Sequence, residues 1–364
     1  MDGCLHRIQY FAFFCCAILS SIAYGDKVNN EWYSPLRTLT MGNAGIALND
    51  DPDTSMFFNP AGLARIRKTS VEILNPLIEV GTGDFNLVHG HLTNLSKNAS
   101  LSQIQPQLSE HSGQASSLGY SIYPNFQAQN FAFGIVNSGS GASYMDANST
   151  LHYQSRYLIV PTLGMSAGLL SGLLKIGVAV RGVQLTQNDK STTTFTNIGY
   201  LTSPGQGFGL GFDAGAQLIF PSAGLPTFGI VARNIGGVSF GSSVVSLSSS
   251  SVGGPSLVRA SYDGGFAWQS RDRSNRFTFD ADYRDILNST STPTLRHVNT
   301  GAEMELSKIF YLRAGFGRGY WTAGFGLHGK NGSIELGSYA EELSDSGYHV
   351  QEDRRVAIQF GNRF

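Results

Sequence analysis

Cysteine is confined to the start of the chain. The only three among 364 residues are Cys4, Cys15 and Cys16. Once a leader is removed none remains, which excludes disulfide staples, thiol nucleophiles and cysteine-ligated zinc. Charge is also scarce, at 14% of residues with a formal net charge of -1. A soluble domain carries roughly a quarter. No basic excess exists to track a phosphate backbone, so nucleic-acid binding is not expected. After the leader no apolar run reaches the roughly 20 residues of a membrane helix. The eight His are scattered without metal-ligand spacing. Gly139-Ser140-Gly141 lacks a strand-to-helix nucleophile elbow, and the GQGFGLGF string around Gly207 has no following helix to cradle a phosphate. No cofactor and no enzymatic activity are expected.

The leader spans residues 1–25. His6 and Arg7 form its polar start, Tyr10 to Ile22 its apolar core, and Ala23-Tyr24-Gly25 a small-x-small cleavage site. Cys15 and Cys16 invite a lipoprotein reading, but Ala12-Phe13-Phe14 lacks the small residues that should precede a lipidated Cys.

Glycine, by contrast, is abundant, at 44 residues, and mean hydropathy is -0.08. From Thr69 onward the sequence alternates with period 2, which sends successive side chains to opposite faces of a strand. Phe208, Leu210, Phe212 and Ala214 oppose Gly209, Gly211, Asp213 and Gly215; Phe277, Phe279 and Ala281 oppose Arg276, Thr278, Asp280 and Asp282. A half-apolar, Gly-rich and aromatic-rich pattern is that of a transmembrane barrel. The expectation is an all-β fold, a transmembrane antiparallel β-barrel of about 14 strands over residues 69–364. The strands are expected at 69–80, 116–123, 126–136, 150–168, 173–186, 206–220, 224–234, 255–268, 275–286, 295–306, 308–317, 319–329, 332–341 and 353–363. Turns after even strands are short, among them Pro124-Asn125 and Ser171-Gly172. Loops after odd strands are mostly long, as at 81–115, 137–150, 186–206 and 235–255. Short periplasmic turns and long outer loops are the expected asymmetry.

Between leader and barrel, residues 26–68 read as neither helix nor strand, most clearly in PLRTLTMGNAGIALNDDPDTSMFFNPAGLARI from Pro35 to Ile66. Gly42, Gly45 and Gly62 permit unusual backbone geometry, Pro60 fixes its own φ, and Phe57 and Phe58 end an apolar bolt. An unstructured stretch of this length calls for function or enclosure. The string MGNAGIALNDDPDTSMFFNPAGLA resembles the N-terminal signature of the FadL-type and PorV/TraF-like outer-membrane barrels, on Asn59, Pro60, Ala61 and Gly62 together with Gly42, Gly45, Asp50 and Asp51. The segment RHVNTGAEMELSKIFYLRAGFGRGYWTAGFGL, with FGIVARNIGG upstream, is closer to the PorV-like branch. The resemblance implies that residues 26–68 lie inside the barrel as a plug, or hatch. It further implies passage of small hydrophobic, fatty-acid-like molecules through the bacterial outer membrane. The alternative it leaves open is a PorV-like barrel that transports nothing and serves a secretion partner as platform or shuttle. The last strand, with Val356, Ile358, Phe360 and Phe364 on one face, looks like the signal read by the barrel-assembly machinery; Asn362 departs from the usual apolar residue. Membrane lipids are the remaining expected partner.

If the apolar faces meet lipid, the opposite faces line the lumen. That places Lys175, Arg181, Asp213, Arg233, Arg259, Arg276, Asp280, Asp282, Glu303, Glu305, Arg313, Glu335 and Arg355 inside. Mixed signs favour ion pairing over a charge-selective pore. Asp50, Asp51 and Asp53 could ligate calcium, or pair with lumen arginines; their spacing departs from a twelve-residue calcium loop. Leu92 to Leu108 has loose helical spacing that would suit a ligand-capturing groove or a surface cap. Asn59-Pro60-Ala61 is either a gate or a fixed turn.

Overall fold

The computed structural model describes residues 31–48, 52–83, 108–194, 201, 203–222, 224–248, 251, 253–270, 275–289, 292–344 and 347–364. Fourteen antiparallel strands close into one barrel. The first is broken into β1 (Ser70–Leu74 and Leu77–Gly81) and the second into β2 (Ser116–Ile122 and Asn125–Ala128). There follow β3 (Phe131–Met145), β4 (Leu151–Leu169), β5 (Leu174–Thr192), β6 (Gly205–Ile219), β7 (Thr227–Arg233) and β8 (Ser261–Gln269). The wall is completed by β9 (Asn275–Tyr283), β10 (Val298–Leu306), β11 (Phe310–Gly317), β12 (Tyr320–His328), β13 (Gly332–Glu342) and β14 (Glu352–Arg363). Each strand pairs with its sequence neighbour, and β14 closes on β1 with Arg355 opposite Gly81 and Arg363 opposite Glu72. Closure leaves no unpaired edge, which a lipid environment demands.

The alternation is realised as predicted on most strands. Ile176, Val178 and Val180 of β5 and Leu210 and Phe212 of β6 are exposed outward, while Arg181 and Asp213 are buried. Two-residue turns Ser307-Lys308 and Arg318-Gly319 have positive φ at both positions, the geometry whose twist matches antiparallel strands.

Three boundaries differ from expectation for physical reasons. Pro124-Asn125 is no hairpin turn. Residues 116–122 and 125–128 belong to one interrupted strand, and the chain reverses at Gln129-Asn130, where Asn130 takes φ 64°. The Ser- and Gly-rich 137–145 stretch reads as loop, yet it continues β3 in register with 151–159, leaving only 146–150 to turn. Residues 255–260 stand outside the strands; only Val258 bridges back to Val238, both in the 234–260 connection.

Inside the wall lie helix α1 (Leu36–Thr40), helix α2 (Pro52–Phe58) and a 3-10 turn, Pro60–Arg65. Met41, Ala44, Ile46, Met56, Phe58, Ala61 and Leu63 are fully buried. The leader, Asp50, Asp51 and most of the Leu92–Leu108 stretch lie outside the described residues.

Candidate functional site

Glycines on the inward faces of the strands let the N-terminal segment reach the wall. A methyl at Gly177 of β5 would stand 2.4 Å from the carbonyl of Pro60, and one at Gly215 of β6 would stand 2.1 Å from Asn59 Oδ1. On β10, β11 and β13, a methyl at Gly301, Gly315 or Gly337 would likewise meet Met41, Gly42 or Thr40 within 2.4 Å. Here the absence of a side chain is itself the fit: main chain lies against main chain at Gly177, Gly301 and Gly315, and the Asn59 and Thr40 side chains fill the space at Gly215 and Gly337.

The Asn-Pro-Ala motif is bonded into this belt. Asn59 Oδ1 accepts from the Ala61 N–H at 3.1 Å, capping the 3-10 turn. Its Nδ2 donates to the carbonyls of Ile46, Ala216 and Ile230 at 3.1, 3.2 and 3.3 Å, tying segment to β6 and β7. Gly42, at φ 64°, donates its N–H to Thr322 Oγ1, and the N–H groups of Gly45 and Ile46 converge on the Asp282 carboxylate.

Charged side chains predicted for the lumen meet in pairs, several of which clasp the segment. Arg181 bonds Asp213 at 2.7 Å and lies over the Phe57 ring. Arg233 bonds Asp263 at 2.5 Å and donates to the carbonyls of Phe57 and Phe58. Glu303 accepts from Arg37 of the segment and from Arg313, which also binds Glu335. Arg276 pairs with Glu305, and Arg355 with Glu79 and Asp353. Asp280 is buried on β9, and Lys175 is buried on β5. Asp53 joins Arg363, which also reaches Glu72. Arg259 is elsewhere: it stands in the 234–260 connection and donates to the Ser289 carbonyl across the outer rim. Among the described residues no His/Cys/Asp/Glu group has the makings of a metal site.

The interior is two-sided. Most of the charged residues stand on β7 to β14 and β1, with Lys175 and the Arg181–Asp213 pair on β5 and β6. An apolar cluster lies on the inward face of β3 to β5: Ala132, Val136, Leu158, Val160, Val183 and Leu185 pack with Trp32, Met56, Phe57 and Leu63, and Val238 covers them from the outer loop. The cluster includes a trio of rings. Tyr33 and Phe57 stand 5.4 Å apart, Tyr33 and Tyr123 4.9 Å, and Phe57 and Tyr123 5.1 Å.

Tyr123 marks a break in the wall. Asn75-Pro76 interrupts β1 and Tyr123-Pro124 interrupts β2, side by side. Proline cannot donate to a ladder. The Asn75 carboxamide takes over: it accepts from the Tyr123 N–H at 2.6 Å and donates to the Tyr123 carbonyl at 2.9 Å. Asn75 and the Tyr123 ring are buried, and the Tyr123 hydroxyl has no hydrogen-bond partner among the described residues. Sequence reasoning passed over Trp32, Tyr33, Asn75 and Tyr123. The available signal was a pair of X-Pro steps interrupting two adjacent strand patterns.

Cavities flank the segment among the described residues. One of about 380 Å³ opens among Arg37, Asp53, Glu72, Arg276, His328 and Arg363 at the short-turn end. Another of about 130 Å³ lies between Trp32 to Ser34 and β2 to β4.

A closed fourteen-strand barrel, apolar outside and occupied inside by its own N-terminal segment, defines a protein of the outer-membrane barrel class. No family model matches the chain, and no curated protein matches it in sequence. Solved structures do share its fold. The CymD monoaromatic hydrocarbon channel aligns with a TM-score of 0.55 over 90% of this chain and 96% of its own, at 11% identity. The deltaS2 mutant of the TodX monoaromatic hydrocarbon channel gives 0.54 over 92% and 100%, also at 11%. A Pseudomonas aeruginosa FadL homologue gives 0.50 over 90% and 97%, again at 11%. The fold is that of the FadL-type barrels, as the N-terminal motif implied.

Proposed function

We propose that this chain binds small hydrophobic, fatty-acid-like molecules at the outer membrane and passes them by movement of its N-terminal segment, which acts as a hatch. The observation that carries the reading is the apolar cluster inside β3 to β5, which includes Val238 of the outer loop and the ring trio at the strand break. A ligand entering from the outer side would meet this cluster and reach a place where the wall is held by side-chain rather than ladder hydrogen bonds. Two of the solved structures sharing the fold are hydrocarbon channels, which agrees with such a cargo. The interior carboxylates and guanidiniums serve each other as ion-pair partners, so the reading requires no enzymatic step. It takes residues 1–25 as removed on export and the Phe360 and Phe364 strand as the signal for the assembly machinery.

A second reading is favoured by the number of bonds holding the segment. Arg37, Asn59 and the carbonyls of Phe57 and Phe58 are all engaged by the wall, as a permanently plugged, PorV-like platform would require. Native mass spectrometry of the barrel in mild detergent, followed by lipid extraction, separates the two. Passage predicts a co-purifying single-chain lipid that is lost in the Asn59→Ala, Pro60→Ala double variant. A barrel without lipid but with a bound protein would sink passage and leave the platform.

A further inference from the structure

We propose a second function for the charged flank of the interior: a polar conduit beside β13, β14 and β1 that passes water, small ions and small polar solutes, closed where Gln359 meets the N-terminal segment. It goes beyond the passage of hydrophobic molecules and does not use the apolar cluster. The cavities beside the segment run towards opposite ends of the barrel. The larger, about 380 Å³, is lined by Lys330 and Asn331 of the short β12–β13 turn and reaches in to Pro35 and Gln359. The smaller, about 130 Å³, is lined by Arg318 of the β11–β12 turn at the other end and reaches in to Ser34 and Leu77. They stop on two sides of one partition. Ser34 and Pro35 are consecutive in the chain, and Leu77 is the register partner of Gln359 where β14 closes on β1.

The partition is a single side chain and an apolar collar. Gln359 Oε1 accepts from the Leu36 N–H at 2.7 Å, and its Nε2 donates to the Tyr33 hydroxyl at 3.1 Å. Around these bonds Leu36, Leu77, Tyr339 and Ala357 pack together, with Leu39 against them. A short apolar constriction in a polar path closes by dewetting as well as by contact. On both sides of it the lining carries charges of both signs: Glu79 and Arg355 pair on one, Asp53, Glu72 and Arg363 on the other. Paired charges hold water without a net field, so the conduit selects by size rather than by charge. A water takes about 30 Å³ of the liquid, so the smaller cavity holds about four and sets the limit. A three-carbon polyol fits that space and a disaccharide does not.

The test is single-channel recording of the full barrel in planar bilayers bathed in potassium chloride. Gln359→Ala removes both bonds, and the open probability should rise about tenfold or more over wild type. Tyr33→Phe deletes one of the two bonds and leaves the wall untouched, so it should give a smaller rise. Leu185→Ala, a truncation of similar size within the apolar cluster, should stay at the wild-type level. The current of Gln359→Cys should be blocked by a charged methanethiosulfonate reagent; wild type, whose only cysteines are Cys4, Cys15 and Cys16, is the control. Liposomes carrying Gln359→Ala should swell in glycerol and not in sucrose. Heat-modifiable migration shows that each barrel has formed. Folded Gln359→Ala and Tyr33→Phe barrels as closed as wild type, an equal rise in Leu185→Ala, or a Gln359→Cys current that the reagent leaves unchanged would overturn the conduit. None of these results depends on whether a hydrophobic cargo binds.

Discussion

A single methyl group placed on the wall should loosen the segment without disturbing the barrel. In Gly177→Ala, the new Cβ stands 2.4 Å from the Pro60 carbonyl carbon and oxygen and 2.5 Å from the Ala61 nitrogen. All three are backbone atoms, so no rotamer change relieves the clash. Contact becomes ordinary only beyond 3.4 Å, so the 3-10 turn must retreat by about 1 Å. At that distance the Asn59 bonds to the Ala216 and Ile230 carbonyls, 3.2 and 3.3 Å now, pass out of hydrogen-bonding range. Overpacking costs about 1–3 kcal/mol. Each lost hydrogen bond adds about 1 kcal/mol. A total of about 3–5 kcal/mol corresponds to a rise of about a hundredfold or more in the population with the segment undocked. Hydrogen exchange of the 52–66 amides in detergent measures that population directly. Heat-modifiable migration on a denaturing gel reports whether the barrel itself has formed. The matched control is Gly168→Ala on β4, where the nearest atom is 4.0 Å away. Unchanged protection in Gly177→Ala, or an equal loss in Gly168→Ala, would refute the idea that glycine is there to admit the segment.

Two further outcomes follow from the same geometry. Asn75→Ala removes both bonds across the strand break: the Tyr123 N–H loses its partner in a buried place, while its carbonyl keeps Asn125 Nδ2 at 3.0 Å. Exchange at Tyr123 should rise at least tenfold, from a cost of about 1–3 kcal/mol, with other β2 amides unaffected; a uniform rise along β2 would mean that the carboxamide does not act locally. Arg233→Ala strands the buried Asp263 and frees the Phe57 and Phe58 carbonyls. Breaking such a pair costs about 3–5 kcal/mol. Scanning calorimetry should therefore show a markedly lower unfolding temperature, largely restored in the double variant Arg233→Met, Asp263→Leu. No rescue would indicate that the carbonyl bonds, not the orphaned carboxylate, set the loss.

Much of the wall was readable from period-2 alternation because each strand has one lipid face, and a one-residue slip would turn that face inward. The fourteen-strand count, and the burial of Arg181, Asp282 and Arg313, came from that parity alone. Proline at 124 misled because its missing N–H is the usual sign of a strand's end. Nothing local reveals that a carboxamide 48 residues upstream restores the lost pairing. The 137–145 stretch misled for the opposite reason, since Ser and Gly there are small rather than loop-forming and are held by the long β4. The segment's position was implied by motif resemblance, but its contacts were not. Which glycine faces Pro60 depends on strand order and stagger.

The bare glycines also bear on how the wall and its insert can vary. A wall position that tolerates no side chain while the segment is docked cannot be tuned by substitution, so Gly177, Gly301 and Gly315 act as fixed seats. Variation in the interior is left to the insert itself. Residues 31–66 therefore relate to the wall as a cartridge does to its housing.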